Sequence, residues 1–173
     1  AVGYVPDVIQ CNDWQTALVP TFLNAMYRPA FPNTKCMYTI HNIEYQGKYD
    51  FSILGDIFAL DESARSIMEY DGCINLMKGA IVSADVVSTV SPRYAEEIRS
   101  PEYAHRLEYI INDNAHKLRG ILNGMGDGSF QPRGLLNRAQ FCAMVVRGLG
   151  LPAASSAGFT DVNVFMVDVT NLT

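Results

Sequence analysis

The chain has 173 residues, of which 49% are hydrophobic and 18% charged, and its formal net charge is −5. This composition is typical of a folded globular protein, and the length is enough for one ordinary domain with a sizeable core. The negative charge, the lack of a Lys/Arg run and the lack of a bilayer-length apolar run argue against nucleic acid and membrane as partners.

The first elements alternate between strand and helix. Residues 7–11 form a short β-prone run that predicts a strand, and the polar pair Asn12-Asp13 follows it. Apolar residues then recur at helical spacing over residues 14–27, with Asn12 or Asp13 as the expected N-cap. Residues 36–40 predict a second buried strand, which ends at the polar pair His41-Asn42.

The alternation continues through the middle of the chain. Residues 60–84 predict one or two helices, with Gly72 and Gly79 as candidate interruptions, and residues 85–90 a third strand. Ser91-Pro92 has the residue types of a helix start. A further helix is expected from Pro101 to Asn114, and a weak strand over residues 118–122. Strands and helices in this order predict an α/β fold with a parallel sheet.

The character of the sequence changes after Gly124. Residues 126–129 are rich in turn-forming types, and residues 137–149 form an amphipathic pattern that predicts a helix. We therefore place a domain boundary near residues 124–126. The prediction is an α/β domain over residues 1–124 and a small, mostly helical tail over residues 125–173.

Polar side chains follow two of the predicted strands at their carboxyl ends, where ligands bind in open parallel sheets. The pairs Asn12-Asp13 and His41-Asn42 are expected at one rim of the sheet. A ligand site there is one interpretation. The other, slightly favoured by the spacing alone, is that Asp13 only caps a helix and His41 only completes a turn.

Cysteine usage indicates a reducing environment. The cysteines form no C-x-x-C pair and no Cys/His cluster with zinc spacing, and they lie among apolar neighbours at positions 11, 36, 73 and 142. We expect reduced, buried thiols and no metal. No signal peptide is visible at the start of the sequence, so a cytoplasmic protein is expected.

Several motifs occur together in one order. Residues 6–18 resemble the pattern PDV-x-H-x-HDW-x-x-x-L, and residues 39–47 the pattern T-hydrophobic-HN-x-x-YQG. Residues 89–98 resemble TVSP-x-YA-x-EI, and residues 120–124 resemble G-hydrophobic-LNG. By these motifs the chain resembles the N-terminal catalytic domain of the bacterial ADP-glucose glycogen/starch synthases.

That resemblance implies a retaining glycosyltransferase that moves glucose from ADP-glucose to the end of an α-1,4-glucan, without a metal or another cofactor. It implies half of a GT-B fold, a partial Rossmann-like sheet. His41 would contribute to the glucosyl pocket, and Asp13 would bond sugar hydroxyls or orient the neighbouring loop. The substrate-binding residues implied by the motifs are Asn42, Tyr45, Gln46, Gly47 and Asn123. Loop packing is an equal alternative for residues 45–47.

The sequence also departs from the family pattern. Nothing resembles the family's Lys-x-Gly-Gly donor-phosphate loop, and Gly126 stands where the family has an acidic residue. The residues that grip the nucleotide diphosphate belong to a second domain, which the motifs do not cover. We expect a fragment that is inactive alone and that can self-associate through unburied sheet surface.

The tail carries a different resemblance. Residues 126–132, 136–141, 144–147 and 159–162 are similar to an S-layer homology repeat, with Asn137 and Gln140 in place of its usual Thr and Glu. Arg138 matches the position that would contact an anionic cell-wall polymer. An amphipathic helix packed on a neighbour is the plainer interpretation. Because the two resemblances imply different compartments, a cell-wall-binding protein and a non-functional truncated or fused fragment remain alternatives.

Overall fold

The computed structural model describes residues 5–120, which belong to a compact unit formed by residues 1–121. In chain order the elements are β1 (Val8–Asn12), a 3-10 turn (Trp14–Thr16), α1 (Leu18–Phe22), a π turn (Leu23–Tyr27), β2 (Lys35–Ile40), β3 (Lys48–Tyr49), α2 (Ile53–Asp56), a 3-10 turn (Glu62–Ala64), α3 (Arg65–Met68), β4 (Glu69–Tyr70), β5 (Cys73–Asn75), α4 (Leu76–Ser83), β6 (Val86–Thr89), α5 (Pro92–Glu97), α6 (Glu108–Asp113), a 3-10 turn (Ala115–Lys117) and β7 (Leu118–Gly120). The helix predicted at residues 137–149 and the tail domain lie outside the described residues.

The main sheet has four parallel strands in the order β1-β2-β6-β7. The predicted parallel α/β sheet is therefore confirmed, and β1, β2 and β6 lie close to the positions expected from the sequence. Its register is marked inside the sheet by a buried contact of 2.8 Å between the hydroxyls of Thr39 and Ser88. Gln10 Nε2 donates to Thr39 Oγ1 over 2.5 Å, so three neighbouring strands share one polar network. Because all four strands run the same way, their carboxyl ends form a single rim.

The opposite face of this sheet carries the main core. Cys11, Cys36, Tyr38, Ile40 and Val87 all alternate onto that face and are almost fully buried. They belong to one apolar cluster with residues of the helical segments, namely Ala17, Leu23, Met68, Met77, Ala80, Ile81, Ile98, Leu107 and Ile111. Burial of this apolar area, at about 25 cal/mol per Å², is the main force that holds the helices on the sheet.

The two thiols of the core remain reduced, as the sequence predicts for buried cysteines. Cys11 and Cys36 are free and lie with their Sγ atoms 3.9 Å apart, which is a contact distance and not a bond. The hydrogen bond with Cys11 and burial raise the pKa of Cys36, so its thiol stays protonated at neutral pH. Cys73 is also free and is half-buried.

The single helix expected over residues 14–27 is divided into a 3-10 turn, α1 and a wider π turn. Pro20 supplies a physical reason, because it has no N–H and fits an α-helix only in the first turn. Helix α1 accordingly begins just before it, at Leu18. The prediction that Asn12 or Asp13 caps this helix is wrong, since no side-chain cap bond is present at its start.

Two helices, α3 and α4, lie within the helical prediction for residues 60–84, and the expected interruption at Gly72 is a β-hairpin. Asp71 and Gly72 have φ values of 55° and 76°, as the centre of a type I′ turn requires, and they join β4 to β5. Strand β5 also pairs with β3, which makes a small antiparallel sheet. The helix resumes only after Asn75, whose side chain accepts a hydrogen bond from Lys78 N. The other candidate interruption, Gly79, lies inside the continuous helix α4. An added Cβ there would lie 2.9 Å from Met68 Cγ, so this glycine allows close packing against Met68.

The last described elements are partly as expected. Helix α5 begins at Pro92, and Ser91 Oγ caps it by accepting from Tyr94 N, as the Ser-Pro pair predicts. The helix expected from Pro101 is shorter, because α6 spans only Glu108–Asp113 and turns precede it. Within residues 5–120 no helix is long and apolar enough to cross a bilayer.

Gly120 closes the sheet where no side chain fits. A Cβ at this position would lie 2.3 Å from Pro92 Cα, which is backbone and cannot rotate away. We expect Gly120→Ala to lower the free energy of unfolding by about 3 kcal/mol, the upper range for overpacking. The measurement is urea unfolding followed by far-UV circular dichroism.

Gly55→Ala is the matched control for that substitution. Gly55 lies in α2 and an added Cβ would meet nothing within 4 Å. Alanine is the better helix former, so this variant should be more stable by about 0.5 kcal/mol. Equal urea midpoints for the two variants would contradict the packing described around Gly120.

Candidate functional site

The site is built where β1 and β2 end side by side. Asp13 follows β1, and its Oδ1 atom accepts hydrogen bonds from the backbone N–H of His41 over 2.8 Å and of Asn42 over 3.3 Å. The backbone N–H of Asp13 in turn donates to Thr39 O over 2.9 Å. The predicted proximity of Asp13 and His41 at one rim is thus confirmed, and Asp13 joins the two strand ends instead of capping a helix.

Asp13 makes these bonds in an uncommon backbone conformation. Its φ is 52° and its ψ −175°, a combination that lies outside the left-handed helical region that Asp tolerates in turns and that costs about 1–3 kcal/mol. Such conformations persist when surrounding bonds fix them, and they cluster at functional positions. The backbone reversal turns the carboxylate back across the end of β2, which explains why it binds His41 N and not its own helix.

His41 presents an exposed imidazole at the rim. Its Nε2 atom lies 3.2 Å from Asn12 Oδ1, the side chain that precedes Asp13. An amide oxygen only accepts, so in this contact Nε2 is the donor. The two polar pairs that the sequence placed at the strand ends are therefore bonded to each other through both backbone and side chains.

An open depression of about 270 Å³ adjoins this rim, and its lining residues are Asp13, Trp14, Gln15, Asn42 and Tyr45. Tyr45 is 61% exposed although it is aromatic, and it lines the depression together with Asp13. Flat aromatic surface beside amide and carboxylate groups suits a ligand that has both apolar faces and hydroxyl groups. Asn42 Oδ1 also accepts from Glu44 N over 3.0 Å, which orders the loop at the edge of the depression.

Gln46 lies in the interior and not at the surface of the depression. Its Nε2 atom donates to Ile43 O over 3.1 Å and to His105 O over 2.9 Å, and its Oε1 accepts from Asn75 Nδ2 over 2.8 Å. The side chain is 3% exposed, so these bonds fix the loop internally. The structure gives Gln46 a positioning role. The direct substrate contact expected from the motif stays a prediction.

Gly47 lies at the end of the same loop, under the indole ring. Its φ is 65°, and an added Cβ would lie 2.9 Å from Trp14 Cε3 and 3.1 Å from Leu76 Cδ1. Its carbonyl accepts from Leu76 N over 3.0 Å, at the start of α4. The glycine of the motif thus allows the loop to pass beneath Trp14, which is the only tryptophan of the chain.

Tyr94 is a functional candidate that the sequence analysis did not single out. Its hydroxyl accepts a hydrogen bond from Ile43 N over 3.0 Å, which ties α5 to the loop of the site. Burial raises the pKa of Tyr94, and the Asp13 carboxylate raises it further, so the hydroxyl stays protonated and can donate its own proton. The signal was available, because Tyr94 belongs to the motif of residues 89–98.

The remaining candidates stay predictions. Asn123 and Arg138 lie outside the described residues. In the part of the chain that is described, no three His, Cys, Asp or Glu side chains come together as a metal site would require. What the described site offers is a carboxylate, an imidazole and amides around an open aromatic depression, which are groups for binding and orienting hydroxyls.

Gly47→Ala tests the packing of the site loop against Trp14. We expect it to lower the free energy of unfolding by about 2 kcal/mol or more, since backbone strain and the clash with the indole add. The Trp14 emission maximum should also shift, because the ring must move.

Gly72→Ala is its control, since Gly72 has a similar φ of 76° but nothing within 4 Å of an added Cβ. This variant should lose about 1 kcal/mol from strain alone and leave Trp14 emission unchanged. A shift of the same size in both variants would mean that the loop does not pass beneath the indole.

Comparison with known proteins places this site in a family. Residues 1–113 match the family model described as starch synthase catalytic domain, and residues 119–142 match that of the S-layer homology domain. The glycogen synthase of Clostridium beijerinckii is 38% identical over 137 residues, which cover 76% of this chain and 29% of the relative. That of Desulforudis audaxviator is 42% identical over 135 residues, covering 76% of this chain and 27% of the relative.

A solved structure agrees with these relatives. The catalytic domain of starch synthase IV from Arabidopsis thaliana bound to ADP and acarbose has a TM-score of 0.62 and 38% identity, over 71% of this chain and 26% of that chain. The chain spans 29% or less of the length of each of these relatives. Both resemblances seen in the sequence are confirmed. Over most of its length, the chain belongs to the family of starch synthase catalytic domains.

Proposed function

We propose that the described α/β unit is the sugar-facing part of a glycogen/starch synthase active site. The reaction would be retaining transfer of glucose from ADP-glucose to the end of an α-1,4-glucan. The observation that carries the proposal is the Asp13 carboxylate, which bonds the backbone of His41 at the end of β2 and itself lines the depression with Asn42. Family membership supports the assignment, because these residues lie within the matched region, 1–113.

The proposed roles rest on the family motifs and on the positions of these residues at the rim. As the bond to the leaving diphosphate breaks, positive charge develops on the glucosyl unit, and placed polar groups stabilise that state more than the ground state. We propose that His41 stabilises this positive charge through its carbonyl and its imidazole. Asp13 would bond a sugar hydroxyl with its remaining acceptor capacity while it fixes the rim. Asn42 and Tyr45 would contact the sugar, with Asn123 beside them as its motif implies.

The proposed partners are ADP-glucose and an α-1,4-glucan. Support comes from the Arabidopsis starch synthase IV catalytic domain, which was bound to ADP and acarbose. We propose that no metal or other cofactor takes part and that the synthase acts in the cytoplasm. We also propose that the 173-residue chain by itself does not catalyse glucosyl transfer, because no segment of it resembles the family's donor-phosphate loop.

The test is a transfer assay in two arms, with radiolabelled ADP-glucose and glycogen. The first arm uses the 173-residue chain and should show no incorporation. The second uses the C. beijerinckii glycogen synthase with its matching segment replaced by residues 5–120 of this chain. We expect this chimera to be active and His41→Ala in it to lose about 10²–10³-fold in kcat, as when one transition-state contact is removed.

Glu96→Gln is the control in the chimera. Glu96 is an exposed residue of α5 whose carboxylate pairs with Arg99, so the substitution should leave kcat unchanged. A folded chimera without activity, or one indifferent to His41→Ala, would contradict the proposed function. Incorporation by the 173-residue chain would overturn its proposed inactivity.

Concentration-dependent sedimentation of the same sample would reveal the predicted self-association.

A second candidate function rests on the S-layer homology match at residues 119–142. It is attachment to an anionic cell-wall polysaccharide, with Arg138 as the contact. Sedimentation with purified wall polysaccharide should retain the chain, and Arg138→Ala should weaken retention by about tenfold, as loss of one charge-assisted contact does. Retention that does not depend on Arg138, or no retention, would count against this candidate.

A further inference from the structure

Two turns of the same type meet beside the site. The first is the hairpin turn centred on Asp71 and Gly72, which are residue types that a type I′ turn prefers. The second spans residues 104–107, and its ends are joined by a hydrogen bond of 2.9 Å from Leu107 N to Ala104 O. We call residues 104–107 the strap.

The strap has a strained backbone. Its central residues, His105 and Arg106, have φ values of 48° and 74°, so both lie in the left-handed region where Gly, Asn or Asp is expected. Ala104 and Leu107, on either side, are fully buried and anchor the turn in the core. Strain of this kind persists only where neighbouring bonds over-determine the conformation.

Those bonds come from two directions. The guanidinium of Arg106 makes a two-point contact with the Asp71 carboxylate, from Nη2 to Oδ1 over 2.9 Å and from Nη1 to Oδ2 over 2.7 Å. The carbonyl of Arg106 accepts from the Tyr70 hydroxyl over 2.8 Å. Both partners belong to the β4–β5 hairpin, so the relaxed turn holds the strained one.

The strap in turn holds the site loop, residues 41–47. His105 O accepts a hydrogen bond from the buried side chain of Gln46 over 2.9 Å. Gln46 is also bonded to Ile43 O and to Asn75 Nδ2, and its own carbonyl accepts from Met77 N over 3.0 Å. Because Gln46 follows Tyr45 directly, the position of the exposed tyrosine depends on these bonds.

We infer that Arg106 is a positioning residue for the site: through its ion pair with Asp71 it keeps the strap in a strained conformation, and the strap holds the site loop through Gln46. The rim of the depression is thereby set partly by an ion pair at the protein surface. The consequence of this positioning for glucan binding rests on the proposed function. The positioning itself does not.

The test compares two substitutions at one position in the full 173-residue chain. Both remove the ion pair, but Arg106→Ala keeps the backbone strain and Arg106→Gly relieves it. The readouts are hydrogen exchange of the Leu76 and Met77 amides, which donate to the loop carbonyls of Gly47 and Gln46, and acrylamide quenching of Trp14. None of these readouts requires catalytic activity.

We expect Arg106→Ala to speed exchange of the two amides by about tenfold, the effect of releasing one strained residue, and to raise Trp14 quenching. Arg106→Gly should stay close to the unaltered chain. The control is Arg93→Ala, which removes another exposed ion pair, with Glu97, from a helical backbone and should change neither readout.

Equal exchange in the Ala and Gly variants would overturn the inference, because strain would then play no part. So would an equal effect of Arg93→Ala, which would mean a general loss of stability. Failure of the transfer assay with these results intact would refute the proposed function and leave the positioning role standing.

Discussion

One carboxylate holds the described site together. Parallel strands each end in backbone groups that the next element must satisfy, and at this rim Asp13 satisfies the N–H groups of His41 and Asn42 at once. The bond is possible because the backbone reverses at Asp13 with a positive φ. Without that carboxylate the N–H groups of His41 and Asn42 would lose the acceptor that they share. Asp13 and Asn42 also line the depression beside the strand ends.

Sequence reasoning recovered the frame of the site but not its detailed bonding. Apolar runs ending in polar pairs are strong local signals, so β1, β2 and the rim positions of Asp13 and His41 were predictable. The helix-capping interpretation of Asp13 was wrong, because its residue type gives no sign that the backbone will turn the carboxylate away from the helix. The Asp71-Gly72 pair, by contrast, is a recognised hairpin signal that a longer helical pattern concealed.

Other features could not be predicted because they depend on contacts far along the chain. Nothing local marks Gln46 as buried, since its partners His105 and Asn75 are distant in sequence. The left-handed turn at His105 and Arg106 opposes local propensity, and only the hairpin that contacts it explains it. These are the positions where tertiary bonds override local preference, and they surround the site and not the core.

The strand order also has a consequence for how the sheet is made. In the order β1-β2-β6-β7 each main strand pairs with the main strand that precedes it in the chain. The strands of the small hairpin sheet come between β2 and β6 in sequence only. As the chain leaves the ribosome, each main strand after β1 therefore emerges when the strand it pairs with has already been synthesised. Assembly can be vectorial, from β1 outward. The bonds from Asp13 to His41 and Asn42 need only the first pair of strands, whereas the bonds that fix the loop after them must wait for Tyr94 and His105.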